Sequence, residues 1–129
     1  LSLHDALPIS TVTKLSITQT AYRYGQNILI AYGRQDKIYS RTLLAKAGNE
    51  LLGISGIKAV FIVGRTAKEE VSISARSSTD INVQLIMEKM GGGGHFSMAA
   101  CQLKYEDITI VINLLEEAIN EYLDERTND

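Results

Sequence analysis

Cysteine occurs once, at Cys101, so the chain cannot close an internal disulfide and suits a reducing, cytoplasmic setting. No apolar run approaches the ~20 residues a membrane span requires. Histidine occurs twice, at His4 and His95, and no dense Asp/His cluster accompanies either one. A two-metal hydrolytic centre built by this chain alone is thereby excluded. Neither sign of charge is in excess. The 13 Lys and Arg against 15 Asp and Glu give a net charge of −2, which argues against a broad basic surface for duplex nucleic acid. A small local anionic ligand remains compatible with that balance.

What is present is ordinary for one globular domain with a real core: 129 residues, 45% hydrophobic and 22% charged. The start of the chain is the exception. Residues 2–9, "SLHDALPI", resemble the in-frame translation of a common short-read sequencing adapter. Residues 1–10 are therefore set aside as a non-native scar. The only proline, Pro8, goes with them, as does the pair His4–Asp5, whose single distant partner His95 is too little for a zinc site. The expectation that follows is a chain that forms the tail of something longer.

The remaining pattern predicts an α/β domain. Residues 11–24 read as a helical connector, with Leu15, Thr18 and Tyr22 at helical spacing. Residues 26–33 and 58–65 read as buried apolar strands. Between them lies a helix with Asp36 as its expected N-cap and Gly53 as its stop. Residues 69–78 alternate cleanly. Val71, Ile73 and Ala75 face one way and Ser72, Ser74 and Arg76 the other, in a hairpin with the strand before. Asp80 is the expected cap of a short helix over 80–90, "AACQLK" is a short strand, and residues 105–126 are the clearest helix. Ile108, Val111, Leu115, Ile119 and Tyr122 lie on its apolar stripe, and acids such as Glu116, Glu121 and Glu125 form its solvated face. The order β-α-β-β-α-loop-β-α implies one domain with helices packed on a small mixed sheet. Its expected limits are 25–125, with 126–129 as a tail.

The chemistry concentrates in "MGGGGHFSMAA", residues 90–100. A glycine run is costly to order, and this one interrupts a helix and a strand inside the domain rather than joining two domains. Without Cβ atoms, the amides of Gly91, Gly92, Gly93 and Gly94 can turn toward one anion as a nest. The P-loop pattern does not fit, since His and Phe follow in place of Lys and Ser/Thr, and a dinucleotide fingerprint would need a strand before the glycines. His95, next to the run, can donate to a phosphate oxygen. Arg76 can pair with a phosphate through two hydrogen bonds. Ser77, Ser78 and Asn82 sit at a helix start, where backbone donors attract anions but serines more often simply cap. Cys101 reads as a small core residue.

"SISARSSTDINVQLIMEKMGGGGHFSMAACQL" resembles the DHH-associated domain that follows the catalytic domain in DHH-family phosphoesterases. The Gly-Gly-Gly-His ending carries the likeness, which extends over roughly 24–125 and is strongest from Val71 to Leu103. Within the family it is most similar to the membrane-anchored cyclic-di-AMP phosphodiesterases. The resemblance implies an upstream DHH domain holding two manganese ions, over which this domain closes as the substrate-binding half. Carried over by position, it implies phosphate contacts from Gly91 to Gly94 and His95, and nucleotide contacts from Arg76, Ser77 and Asn82. No catalytic residue and no metal ligand is expected in this chain. The expected ligand is a cyclic dinucleotide or short oligonucleotide, and the expected partner is the DHH domain in cis. The parent is expected to lie at the cell membrane through helices missing here, and to be able to form a homodimer. The family often has glycine where this chain has Thr79, a departure in the turn before the helix. Two alternatives stay open: an oligoribonuclease or exonuclease fragment acting on short RNA or DNA, and an RNA-binding module related to the alanyl-tRNA synthetase C-terminal domain.

Overall fold

The computed structural model describes residues 8–104 and 107–127. The elements in chain order are α1 (Ile9–Thr18), β1 (Tyr22–Arg23), β2 (Ile28–Tyr32), α2 (Arg41–Leu52) and β3 (Ala59–Ala67). They continue with β4 (Glu70–Ser77), α3 (Val83–Lys89), β5 (Gly93–His95), β6 (Met98–Lys104) and α4 (Ile108–Thr127). The strands form one mixed sheet in the order β1-β2-β3-β4-β6-β5. Only β2 and β3 pair in parallel, and α2 is the crossover between them.

The apolar runs of β2 and β3 are explained by burial on both faces. On one face, Ile30, Phe61 and Ile73 pack against Ile86 of α3 and Leu115 and Ile119 of α4. On the other, Leu29, Val60 and Ile62 pack against Ile17 of α1 and Leu44 and Ala47 of α2. The α/β architecture expected from the sequence is thus the observed one: four helices on a six-stranded mixed sheet. Among the described residues no helix is long and apolar enough to cross a membrane.

The structure corrects several boundaries, each through a tertiary contact. Helix α1 begins at Ile9, inside the stretch set aside as a scar, and ends before the connector's expected limit, because Tyr22 joins the sheet opposite Ile30. The rest of the adapter-like stretch, with His4 and Asp5, lies outside the described residues. Asp36 does not cap α2. It pairs with Arg34 at 2.9 Å, while Ser40 takes the cap, its Oγ accepting from Leu43 N–H at 3.0 Å. The delay has a cause: the buried Tyr39 donates its N–H to Arg65 O at 2.7 Å and keeps the chain extended along β3. Asp80 does not cap α3 either. It pairs with Lys58, Ile81 is drawn into the core, and Asn82 Oδ1 accepts from Leu85 N–H at 3.3 Å. The expected loop after α3 contains a strand, β5, at the sheet edge.

Candidate functional site

The alternation of β4 organises the site. Arg76 lies on the face covered by α2, its Cγ 3.5 Å from the position a Cβ would take at Gly48 of that helix. Ser72 and Ser74 share its parity. The sheet register then aligns three cross-strand rows on this face. The first is His95–Met98–Arg76–Val60, the second Gly93–Ala100–Ser74–Ile62, and the third Gln102–Ser72–Gly64. Helix α2 covers the β3 end of each row. It settles closely because Gly64 has no side chain; a Cβ there would come within 2.8 Å of Leu44. Beyond α2, the β4, β6 and β5 ends of the rows are open. They form a pocket of about 410 Å³ with Arg41, Thr42 and Ala45 of α2 as its wall.

The glycine run borders this pocket, and its four members do different things. Gly91, at φ +86, ends α3: its N–H donates to Glu88 O at 3.1 Å and that of Gly92 to Met87 O at 2.8 Å. This is the Schellman pattern, which needs a left-handed residue. The run is therefore not a nest of four free amides, since two are spent on the helix end. Gly92 and Gly94 are close-approach positions. A Cβ on Gly92 would lie 2.2 Å from Ala100 O, and one on Gly94 would lie 2.5 Å from Met98 O. Gly93 has open space where its Cβ would be and lines the pocket.

Arg76 and His95 are brought together. They flank Met98 in one row, and two inter-strand spacings place their backbones about 10 Å apart. His95 is exposed at the sheet edge. Arg76 is partly buried, and burial holds its guanidinium below its ordinary pKa, though a guanidinium keeps its charge. Its Nη1 donates to Ala75 O at 2.9 Å, but its buried Nε has no hydrogen-bond partner. An orphaned donor on a cation beside a pocket is a place where an anion gains more than it would on the open surface.

Ser77 and Asn82 lie elsewhere. Ser77 has the opposite parity to Arg76 and is buried; its Oγ donates to Phe96 O at 3.2 Å and its N–H to Ser97 O at 3.0 Å. It holds the β5–β6 turn rather than facing the pocket. Asn82 caps α3 and donates its N–H to the Tyr122 hydroxyl at 2.9 Å. Ser78 donates its N–H to Lys58 O at 2.9 Å, and Thr79 donates to Asp80 Oδ1 at 3.2 Å. Cys101 is buried, and burial raises its thiol pKa, as befits a core residue.

Arg41, Ser74 and Gln102 are among the polar pocket residues that have no counterpart among the expected site residues. Arg41 is held at the rim by Glu70, 3.2 Å away, whose carboxyl is kept below its ordinary pKa by hydrogen bonds from Thr66 and then Arg41. The polar parity of Ser74 and Gln102 on their strands was the available signal. Their convergence with α2 was not in the local pattern.

Among the described residues no group of three or more His, Cys, Asp or Glu side chains could hold a metal ion. The pocket's donors are guanidinium, hydroxyl and amide groups, which suit an anion and not the manganese pair that the family resemblance implies.

Fold and pocket together define a single α/β domain with an arginine-bearing pocket at one sheet edge. Residues 25–121 match the DHHA1 domain, and the chain belongs to that family. It is 41% identical over 103 residues to the cyclic-di-AMP phosphodiesterase PdeA of Listeria monocytogenes, covering 79% of this chain and 15% of that protein. It is 36% identical over 117 residues to the cyclic-di-AMP phosphodiesterase GdpP of Bacillus subtilis, covering 89% of this chain and 18% of that protein. The chain thus spans less than a fifth of the length of these curated relatives. Two solved structures share the fold. One is an exopolyphosphatase-related protein from Bacteroides fragilis (TM-score 0.77, 17% identity, 92% of this chain and 36% of that one). The other is the C-Ala domain of Aquifex aeolicus alanyl-tRNA synthetase (TM-score 0.57, 19% identity, 76% of this chain and 96% of that one).

Proposed function

We propose that this domain is the substrate-binding half of a phosphodiesterase that hydrolyses cyclic-di-AMP to a linear dinucleotide, with catalysis assigned to an upstream DHH domain that carries two manganese ions. Its relatives named as cyclic-di-AMP phosphodiesterases support the ligand. The observation that carries the reading is the buried, unpartnered Nε of Arg76 in the same row as His95, beside an open pocket. In this account Arg76 and His95 neutralise a phosphate. Gly93 lets the ligand backbone come close to the sheet, and Arg41 adds a second cation at the rim. Fixing the phosphodiester this way supplies orientation and charge stabilisation, both large terms in phosphoryl chemistry. The bond-breaking groups lie in the other half. The parent is further read as membrane-anchored, with this domain in the cytoplasm.

Calorimetry with cyclic-di-AMP, its linear product and a longer oligoribonucleotide tests the assignment. The cyclic and linear dinucleotides should bind the chain, and the His95→Ala, Arg76→Ala double variant should bind at least about tenfold more weakly, in line with losing charge-assisted hydrogen bonds. Undiminished binding by a folded double variant sinks the site. Tighter binding of the longer RNA sinks the ligand and favours the RNA-processing alternative.

A further inference from the structure

The middle row of the pocket is built from the smallest side chains available on three neighbouring strands: Gly93 on β5, Ala100 on β6 and Ser74 on β4. It is flanked by two rows with longer side chains, one carrying His95, Met98 and Arg76, the other carrying Gln102 next to Ser72. Same-face rows lie about 6.6–6.8 Å apart along a strand, so the three rows frame a trough with a low floor. Its ends differ chemically. One end is cationic, at Arg76, with His95 next to it at the sheet edge. The other carries Gln102 and Ser72, with the Arg41–Glu70 ion pair beside Ser72. The pocket's volume of about 410 Å³ falls within the range of small-molecule sites.

Two polar side chains in this trough are unused. Ser74 is only 8% exposed, lines the pocket, and its hydroxyl has no partner among the described residues. Gln102 is exposed at the pocket, and its amide likewise makes no hydrogen bond among the described residues. The Ser74 hydroxyl lines the open pocket without a partner among the described residues, which leaves it free to meet a ligand group above the Ala100–Gly93 floor. The Gln102 amide presents a donor and an acceptor side by side. Adenine matches that pair with N7 as acceptor and N6–H as donor. Guanine offers two acceptors, N7 and O6, on the same edge, and would set its O6 against the amide oxygen.

We infer that Gln102 is a specificity-determining residue that selects adenine over guanine by reading the N6/N7 edge of a base lying on the Gly93–Ala100–Ser74 floor, with the attached phosphate at Arg76 and His95. The assignment rests on the pocket being a nucleotide site, and it adds the base preference and the residue that sets it. Arg41, fixed by Glu70, closes the α2 side, and Ser74 supplies a second hydrogen bond to the ligand.

The full chain is titrated with 5′-phosphorylated linear di-adenylate and di-guanylate by calorimetry. The native chain should prefer di-adenylate by about 5- to 150-fold, the range expected of one bidentate base contact. Gln102→Ala should erase most of that preference by weakening di-adenylate alone. Gln102→Arg should move the ratio toward guanine, because a guanidinium donates to both O6 and N7. Exposure of Gln102 on a strand leaves both variants able to fold, which circular dichroism verifies. An adenine-to-guanine ratio unchanged in both variants overturns the role of Gln102. If Arg76→Ala still weakens both ligands in that case, the nucleotide site itself stands. Failure of the native chain to bind either dinucleotide overturns the nucleotide site and the base assignment with it.

Discussion

At the scale of single residues, the glycine run separates into positions that serve the fold and one that serves the pocket. Gly91 supplies a left-handed helix end, and Gly92 and Gly94 let β5 lie against β6. Gly93 alone has free space above it inside the pocket. Two alanine substitutions should therefore behave differently. Gly92→Ala should destabilise by about 1–3 kcal/mol or more, since its Cβ meets backbone and not a movable side chain. Gly93→Ala should leave the urea midpoint nearly unchanged while weakening nucleotide binding. Equal midpoints for the two variants would contradict this division. None of it was visible in "GGGG", which shows four identical residues. The distinction comes from β6, whose backbone passes beneath two of them. Arg76 was legible, because strict alternation fixes its face. Ser77 and Asn82 were placed near it by sequence adjacency, but parity and capping take them to other duties.

At the scale of elements, β2, β3, β4, β6, the hairpin and α4 followed from apolar runs and from period 2 and period 3.6 patterns that burial then used, whereas β1 and β5 did not. Nor did the helix starts. Asp36 and Asp80 are good caps by type, but Tyr39 and Ile81 must reach the core first, so Ser40 and Asn82 begin the helices. Helix α4 is preceded by Asp107, whose Oδ1 accepts from Thr109 N–H at 2.7 Å and from Gln35 Nε2 at 3.0 Å. The Gln35 bond first and the Thr109 bond second hold that carboxyl below its ordinary pKa. A carboxyl whose pKa is lower folded than unfolded stabilises the protein above its unfolded pKa, and that contribution is lost as pH falls through the folded value. Stability should thus fall on acidification below pH of about 4, the ordinary aspartate range. Asp107→Asn should flatten that decline relative to the native chain when urea midpoints are compared from pH 7 to pH 3. An identical pH dependence in the variant would remove Asp107 from the account. Asp80, lowered by Lys58, and Glu70, lowered by Thr66 and Arg41, act with the same sign, so the variant should not abolish the decline.

At the scale of the whole molecule, the sheet is covered by helices on both faces over β2 and β3 but is open on one face at its β6–β5 edge. That asymmetry makes the pocket. The family could be named from the chain because its specific motif is contiguous. The pocket could not, because it joins the start of α2 to β4, β5 and β6 across some sixty residues of sequence, and no local pattern encodes that meeting. The account's central claim is that this edge binds the dinucleotide through Arg76, His95 and Gly93. The most direct measurement is an amide chemical-shift map of the chain titrated with cyclic-di-AMP. The account predicts that the largest shifts fall on Ser74, Arg76, Gly93, His95, Ala100 and Gln102, with the α4 face unmoved. Shifts confined to α4, or none at saturating ligand, would contradict it.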